Sequence, residues 1–356
     1  MDKKKAVLFP YVTPQTFPFV KYFNALSEEL ELYQVVSPQG VLPAGKDAAY
    51  LNNREAIGVS VANEVDCEGA DVLLVPELPE NYPCLEETLQ VMEQFLASGK
   101  EVRCYHPLAG EQLERLQKAG YTEAVPPAVT KPEIDIRVRR VFTPEVPVIF
   151  VGGLSGEYDQ QEVLLRLSVQ FRERGRRIAV FAGTDMLAML QCHSYSPILR
   201  SNVDNGLKVL ALNELLRKVC KEEHPELILM ELPGGVIRFN DVLNGGFGVD
   251  TFLLSQAVLP DCFIACAAYG TYNGAYFREV SAYCERHFGF PINQIHISNQ
   301  LLNYSKTVER FRPFWIKMSE TEVAQAIRGY QPMDTAFTVR NWTQGDYTGV
   351  ILEELE

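Results

Sequence analysis

The run Gly152-Gly153-Leu154-Ser155-Gly156 lies between an apolar stretch and a helix-forming one. Glycines let the backbone curl so that N–H groups point inward, and the start of the following helix adds partial positive charge, a combination that suits a phosphate. The main chain would have to do this work, because no side chain of the run is cationic. The full phosphate-loop pattern GxxxxGK[ST] ends in a lysine. Here Glu157 follows Gly156, and Asp159 adds a second carboxylate. Two negative charges oppose a bare triphosphate unless a metal or a basic residue intervenes. A tight strand-to-helix turn that needs glycine only for its dihedrals accounts for the same residues.

In phosphate-loop proteins a second buried strand ends in an acid near the phosphates, placed for Mg²⁺. LILMELPGG at 227–235 reads as such a strand. It sets Glu231 at a strand end as the acid, with Gly234 and Gly235 allowing close backbone approach. Gly183-Thr184-Asp185 closes the strand after the loop helix. Thr184 and Asp185 would then lie at the C-terminal edge of the sheet, where open α/β folds bind ligands; helix capping explains either residue equally well. The polar, glycine-rich stretch 238–250 reads as a switch loop. Within it Arg238 is a candidate for the missing positive charge or else a solvated surface arginine, and Asn240 is a further pocket candidate. A nucleotide with Mg²⁺ is the cofactor such a site would take.

Other chemistries find less support. The eight cysteines form no CxxC pair and read as small buried hydrophobes of a reducing compartment. Cys262 and Cys266 would stand about 13 Å apart on an extended strand, too far to share a metal. His287 and His296 have no companion at ligand spacing, no HExxH or Ser-His-Asp pattern appears, and no metal site is expected. RFRPFWIKM at 310–318 mixes aromatics with cations, as a partner-docking patch or a core edge with snorkelling cations would.

These residues need a scaffold, and the chain alternates strand and helix patterns twice. KAVLF (5–9), YQVVSP (33–38), GADVLLVPEL (69–78) and VRCYHP (102–107) read as strands, with helices over 17–30, 85–98 and 111–119. That half predicts a Rossmann-like parallel sheet, but it has no GxGxxG after its first strand and so no expected dinucleotide site. Residues 126–146 carry prolines and little periodicity and read as a linker, with a short strand near 134–141. From 147 to 356 the alternation resumes: strands at VPVIFVGG, RRIAVFAGT, LILMELPGG, DCFIACAAYG and INQIHISNQ, with helices over 162–174, 206–223, 250–258, 276–288 and near 319–328. The expected fold is α/β in two domains. Residues 1–125 form a Rossmann-like domain and 147–356 a phosphate-loop NTPase-like three-layer domain.

A length of 356 residues fits two cores, and 47% hydrophobic with 22% charged residues is globular composition. Net charge is −13, which argues against a nucleic-acid or anionic-membrane surface. Prolines 10 and 14 break the first apolar run, and no later stretch reaches the ~20 apolar residues of a membrane span, so a cytoplasmic protein is expected.

Residues 231–235 look like the EGxGG signature of the dethiobiotin-synthetase and cobyrinic-acid amidase branch, with Leu232 and Pro233 in place of small residues. More broadly, GKDAAYLNNREAIGV, DVLLVPE, the 152–162 loop with its downstream AGT, ELPGGVIRFN, FGVDTFLLSQAVLPD and HFGFPINQIHISN resemble the peptide maturation system protein family. That family accompanies radical-SAM enzymes in clostridial gene clusters for ribosomally made, modified peptides. The resemblance implies an accessory protein that engages a precursor peptide or its radical-SAM maturase, with an altered nucleotide pocket. The retained glycines and Glu231 leave open an NTP-dependent ligase or kinase-like enzyme acting on a peptide or small carboxylate. The plan is also similar to a bacterial family with a Rossmann-like front domain and a phosphate-loop rear domain, whose members keep a lysine-bearing loop.

Overall fold

The computed structural model describes residues 3–79, 82–122, 141–156, 159–239, 247–311, 313–330, 337–343 and 345–355. The stretch expected as the linker falls largely outside these residues. The chain divides into two compact units, one of Met1–Pro127 with Asp185–Gln191, the other of Ala128–Thr184 with Cys192–Glu356.

In the front unit, β1 (Lys4–Leu8), β2 (Leu30–Val36), β3 (Val61–Ala62), β4 (Val72–Val75) and β5 (Glu101–Cys104) form a wholly parallel sheet in the order β3-β2-β1-β4-β5. The central β4, VLLV, is buried at every position and reads as a continuous apolar run, as a parallel strand covered on both faces does. Helices α2 (Leu85–Ala97) and α3 (Gly110–Lys118) contribute Leu89, Met92, Phe95 and Leu116 to a core with Val7, Leu73 and Val102. Helix α1 (Phe17–Leu26) buries Phe17, Phe19, Val20 and Phe23. Past the end of β1, Phe9 N–H bonds Leu74 and Tyr11 N–H bonds Val36, so the chain ties to both flanking strands. Tyr11 is fully buried there, and its hydroxyl donates to Ala48 O at 2.8 Å. A dinucleotide fold puts glycines at this position for close approach to pyrophosphate. Here the first glycine of the chain is Gly40, and a tyrosine fills the spot.

The rear unit carries β6 (Val148–Gly153), β7 (Ile178–Ala182), β8 (Cys192–Ser194), β9 (Leu227–Gly235), β10 (Cys262–Tyr269), β11 (Gln294–Leu302), β12 (Trp315–Lys317) and β13 (Thr338–Arg340). Their order is β12-β11-β10-β6-β9-β7-β8, with β13 pairing the first half of β11 and β12 running antiparallel to its second half. The glycine-loop strand β6 lies between β9 and β10, both parallel to it. On one face, α6 (Asn205–Glu223), α7 (Val249–Ala257), α8 (Gly274–Phe288) and α10 (Glu320–Tyr330) share a core with Phe150, Met230, Phe263 and Ile295. Helix α4 (Gln160–Glu173) packs on β6, β7 and β9, burying Val163, Leu164, Leu167 and Phe171, and α11 (Thr348–Leu355) packs on α4 and β10. Short α5 (Ser196–Arg200) and α9 (Tyr304–Arg310) complete the set. The chain is thus α/β, a Rossmann-like parallel sheet followed by a three-layer domain of phosphate-loop NTPase type.

Three strands leave no legible mark in the sequence. β8, β12 and β13 are only three residues long, too short to show a period. Glu231 also differs from its expected place. It pairs with Val151 inside β9, and the strand runs on to Gly235 opposite Gly153, through a register shift after Gly152.

No helix among the described residues is long and apolar enough to cross a membrane.

Candidate functional site: the glycine loop and its acidic flank

The C-terminal ends of β6, β7, β9 and β10 meet around the glycine run, and the run is closely packed. A Cβ on Gly152 would lie 2.7 Å from Leu232 Cβ. One on Gly153 would lie 1.7 Å from the carbonyl oxygen of Gly156, and one on Gly235 would meet the Ser155–Gly156 backbone at 2.6–2.9 Å. The loop therefore folds back over its own start and presses against the end of β9. Its main chain is also engaged. Leu154 N–H donates to Cys266 O at 2.8 Å, Val236 N–H to Gly153 O at 3.1 Å and Ile237 N–H to Leu154 O at 2.8 Å. Leu154 itself is buried in the core. The glycines are required by this crossing of backbones. Gly234 beside them has φ +70°, a left-handed turn that glycine adopts without strain.

Asp159 stands at the N-cap of α4 but its carboxylate caps nothing there. It turns instead to β11, where His296 Nε2 lies 3.0 Å from Oδ2 and Gln300 Nε2 donates to Oδ1 at 3.5 Å. His296 Nδ1 accepts the amide N–H of Trp342 at 3.0 Å. An accepting Nδ1 leaves the ring proton on Nε2, so a neutral imidazole donates to the Asp159 carboxylate. Asp159 is 7% exposed and His296 fully buried.

Glu231, also buried, accepts the N–H of Gly183 on Oε2 at 2.9 Å, and its main-chain oxygen accepts from the Tyr195 hydroxyl. Thr184 Oγ1 accepts from Gln161 Nε2 at 2.9 Å, tying the end of β7 to the first turn of α4. The Cys266 thiol feels both acids. Burial first, then the charges of Asp159 and Glu231, push it well above the usual thiol range. The loop thus has two buried acids at its back.

The remaining candidates are more dispersed. Asp185 opens a short 3-10 turn, Asp185–Leu190, that belongs to the front unit. There burial, with help from the Asp185 charge, raises the Tyr105 hydroxyl to about 12. Arg238 is exposed just beyond β9, next to Phe239, whose ring meets Trp315 edge-on at 6.0 Å. Asn240 and Glu157 lie outside the described residues. His193 sits 2.8 Å from Glu223 on the surface of β8. Among the described residues no group of three His, Cys, Asp or Glu side chains could hold a metal ion.

By ligand spacing alone His296 has no companion and reads as an ordinary histidine. A signal was present: Gln294, His296, Ser298 and Gln300 alternate along a strand that is buried throughout this stretch. A strand covered on both faces should be apolar at every position, so a buried polar face marks a hydrogen-bonded network.

No protein-family model and no curated protein matches the chain. Among solved structures, a DUF1611 family protein from Anabaena variabilis superimposes with a TM-score of 0.66 over 99% of both chains at 13% identity. At that identity the likeness is one of fold. Chloroplast FtsY from Physcomitrella patens (TM-score 0.30, 13% identity, 61% of this chain and 74% of that one) and an apo GTPase from Pyrococcus abyssi (0.28, 13%, 60% and 86%) overlap too loosely to bear on this protein.

Proposed function

We propose that this chain is a binding protein built on a phosphate-loop fold, without nucleotide hydrolysis, serving as an accessory factor of peptide maturation. The observation that supports it is the Gly156 carbonyl oxygen over the Cα of Gly153. A phosphate needs donors at that spot, whereas a carbonyl oxygen is another acceptor. Asp159 and Glu231 add buried negative charge behind the loop, and Glu157 stands in place of the loop lysine. Both carboxylates are already engaged, Asp159 by His296 and Glu231 by the Gly183 N–H, which speaks against their holding Mg²⁺ for a nucleotide. The partner, a precursor peptide or its radical-SAM maturase, rests on the sequence resemblance alone.

A rival reading, an NTP-dependent ligase or kinase-like enzyme, draws on Glu231 lying in the strand beside the loop. Thermal-shift titration with ATP, GTP, Mg²⁺ and sulfate separates the two. A ligand confined to the native state adds about 2.7 kcal/mol at a hundredfold excess over its Kd. The binding-protein reading expects no shift with any nucleotide. A Mg²⁺-dependent rise with ATP or GTP, together with phosphate release, would establish the enzyme.

A further inference from the structure

The His296 ring has both of its nitrogens committed. The Trp342 amide can only donate, so Nδ1, 3.0 Å from it, must offer its lone pair. The one proton of a neutral imidazole is then on Nε2, facing the Asp159 carboxylate at 3.0 Å. A second proton has only Nδ1 to go to, and there it would point at the N–H of Trp342. Proton uptake by the ring and the hold on Trp342 exclude each other.

Trp342 belongs to a C-terminal segment, described over 337–343 and 345–355, that docks on the rest of the rear unit. Its β13 pairs the first half of β11, Asp346 pairs with Arg174, and α11 packs on α4 and β10. Trp342 is fully buried in this dock, with its ring 5.1 Å from that of Tyr347.

The groups around the ring come from every neighbouring element. From α4, Asp159 supplies the negative charge that a buried imidazolium requires. From β10 comes Cys266, the register partner of His296, whose thiol stays neutral because burial and the charges of Asp159 and Glu231 push it well above the usual range. From β13 comes Arg340, the other register partner, with its guanidinium over the Tyr347 ring at 5.1 Å. Along β11, Gln300 bonds Asp159, and Gln294 bonds Glu354 of α11. Carboxylates ordinarily titrate below about pH 5 and guanidinium far above 8, whereas imidazole is the side chain that ordinarily changes charge between them.

We propose that His296 is a proton-operated latch on the C-terminal segment: the segment docks on the neutral ring, and its release takes up one proton at Nδ1. The released state binds the extra proton, so docking is strongest above the imidazole range and weakens as pH falls through it. The opening equilibrium should rise by as much as about tenfold per pH unit. The bond to Asp159 survives protonation and gains a charge, so the head of α4 keeps its tie to β11 while Trp342 loses its own.

Labelling the full chain with ¹⁵N-tryptophan isolates two backbone amides, Trp342 and Trp315 on β12. Their hydrogen exchange, divided by the intrinsic rate at each pH, gives the opening equilibrium. Between about pH 7 and 5, Trp342 should lose protection about tenfold or more and Trp315 should not. His296→Gln keeps a donor and an acceptor but takes up no proton, and should abolish the loss. Asp346→Asn removes an exposed acid of the same segment and should leave the loss intact. Equal protection of Trp342 at the two pH values would overturn the proposal, and so would an equal loss in His296→Gln. The same holds if the loss disappears in Asp346→Asn, or if Trp315 loses protection in step, since the latch would then not be the ring.

Discussion

His296 on β11 donates its Nε2 proton to Asp159 at the head of α4, at 3.0 Å and across 137 positions of sequence, while its Nδ1 accepts the amide of Trp342. One buried ring thereby joins three separate parts of the rear unit: the glycine-loop helix, strand β11 and the C-terminal segment. The C-terminal segment has further ties to α4, since Arg166 and Gln170 both donate to Gly345 O and Arg174 pairs with Asp346. The glycine loop is thus held at its helix end by residues late in the chain.

His296→Ala should lower stability by about 3 kcal/mol, because it takes the shared imidazole from a buried carboxylate and a buried amide. Asp159→Asn keeps an oxygen to accept the Nε2 proton and should cost about 1 kcal/mol or less. Urea denaturation of the two variants measures the difference. Equal losses would mean that the Asp159 charge, and not a hydrogen bond that asparagine can replace, carries the contact.

Gly153→Ala places a methyl group against the Gly156 carbonyl, an immovable backbone atom, at 1.7 Å. Its cost should reach the upper end of the about 1–3 kcal/mol that overpacking brings. Gly234→Ala meets no atom within 4 Å but must hold φ +70°, which should cost about 1 kcal/mol. A reversed order in urea midpoints would show that the loop opens more easily than its packing implies.

Asp346 offers a pH test of the C-terminal anchor. The Thr348 hydroxyl and amide, with Arg174 behind them, lower its carboxyl from 3.8 to about 2. A folded-state value below the unfolded one gives stability that is fully present above about pH 4 and lost as pH falls toward 2. Asp346→Asn should therefore remove part of the slope of stability against pH in that window, while differing from the parent by a constant amount above it. The side chain is about half exposed, so the effect is small. Parallel curves through pH 2–4 would contradict the assignment.

Tyr11→Phe tests the front unit. The hydroxyl is buried and donates to Ala48 O, so its removal should cost about 1–2 kcal/mol by leaving that carbonyl without its donor. Burial also pushes the hydroxyl above the usual tyrosine range. A loss below measurement would mean that water reaches the Ala48 carbonyl in its place.

What the sequence determined by itself was the architecture. Buried parallel strands need unbroken apolar runs, helices need a stripe at 3.6-residue spacing, and glycine or proline must punctuate them. All of these are local properties, and they located β1, β4, β6, β9 and β10 and the glycine turn between β6 and α4. The tertiary structure decided what those elements do to one another. That Gly153 comes to lie opposite Gly235, that Glu231 spends its carboxylate on Gly183, and that residues 185–191 fold with the front unit all depend on register and chain path. Asp159, read from the loop alone, counts as a charge opposing phosphate. Only when β11 and Trp342 arrive beside it does it become the acceptor of a buried histidine. A hydrogen bond between residues 137 apart leaves no periodicity along the chain, because the spacing is set by the fold that lies between them.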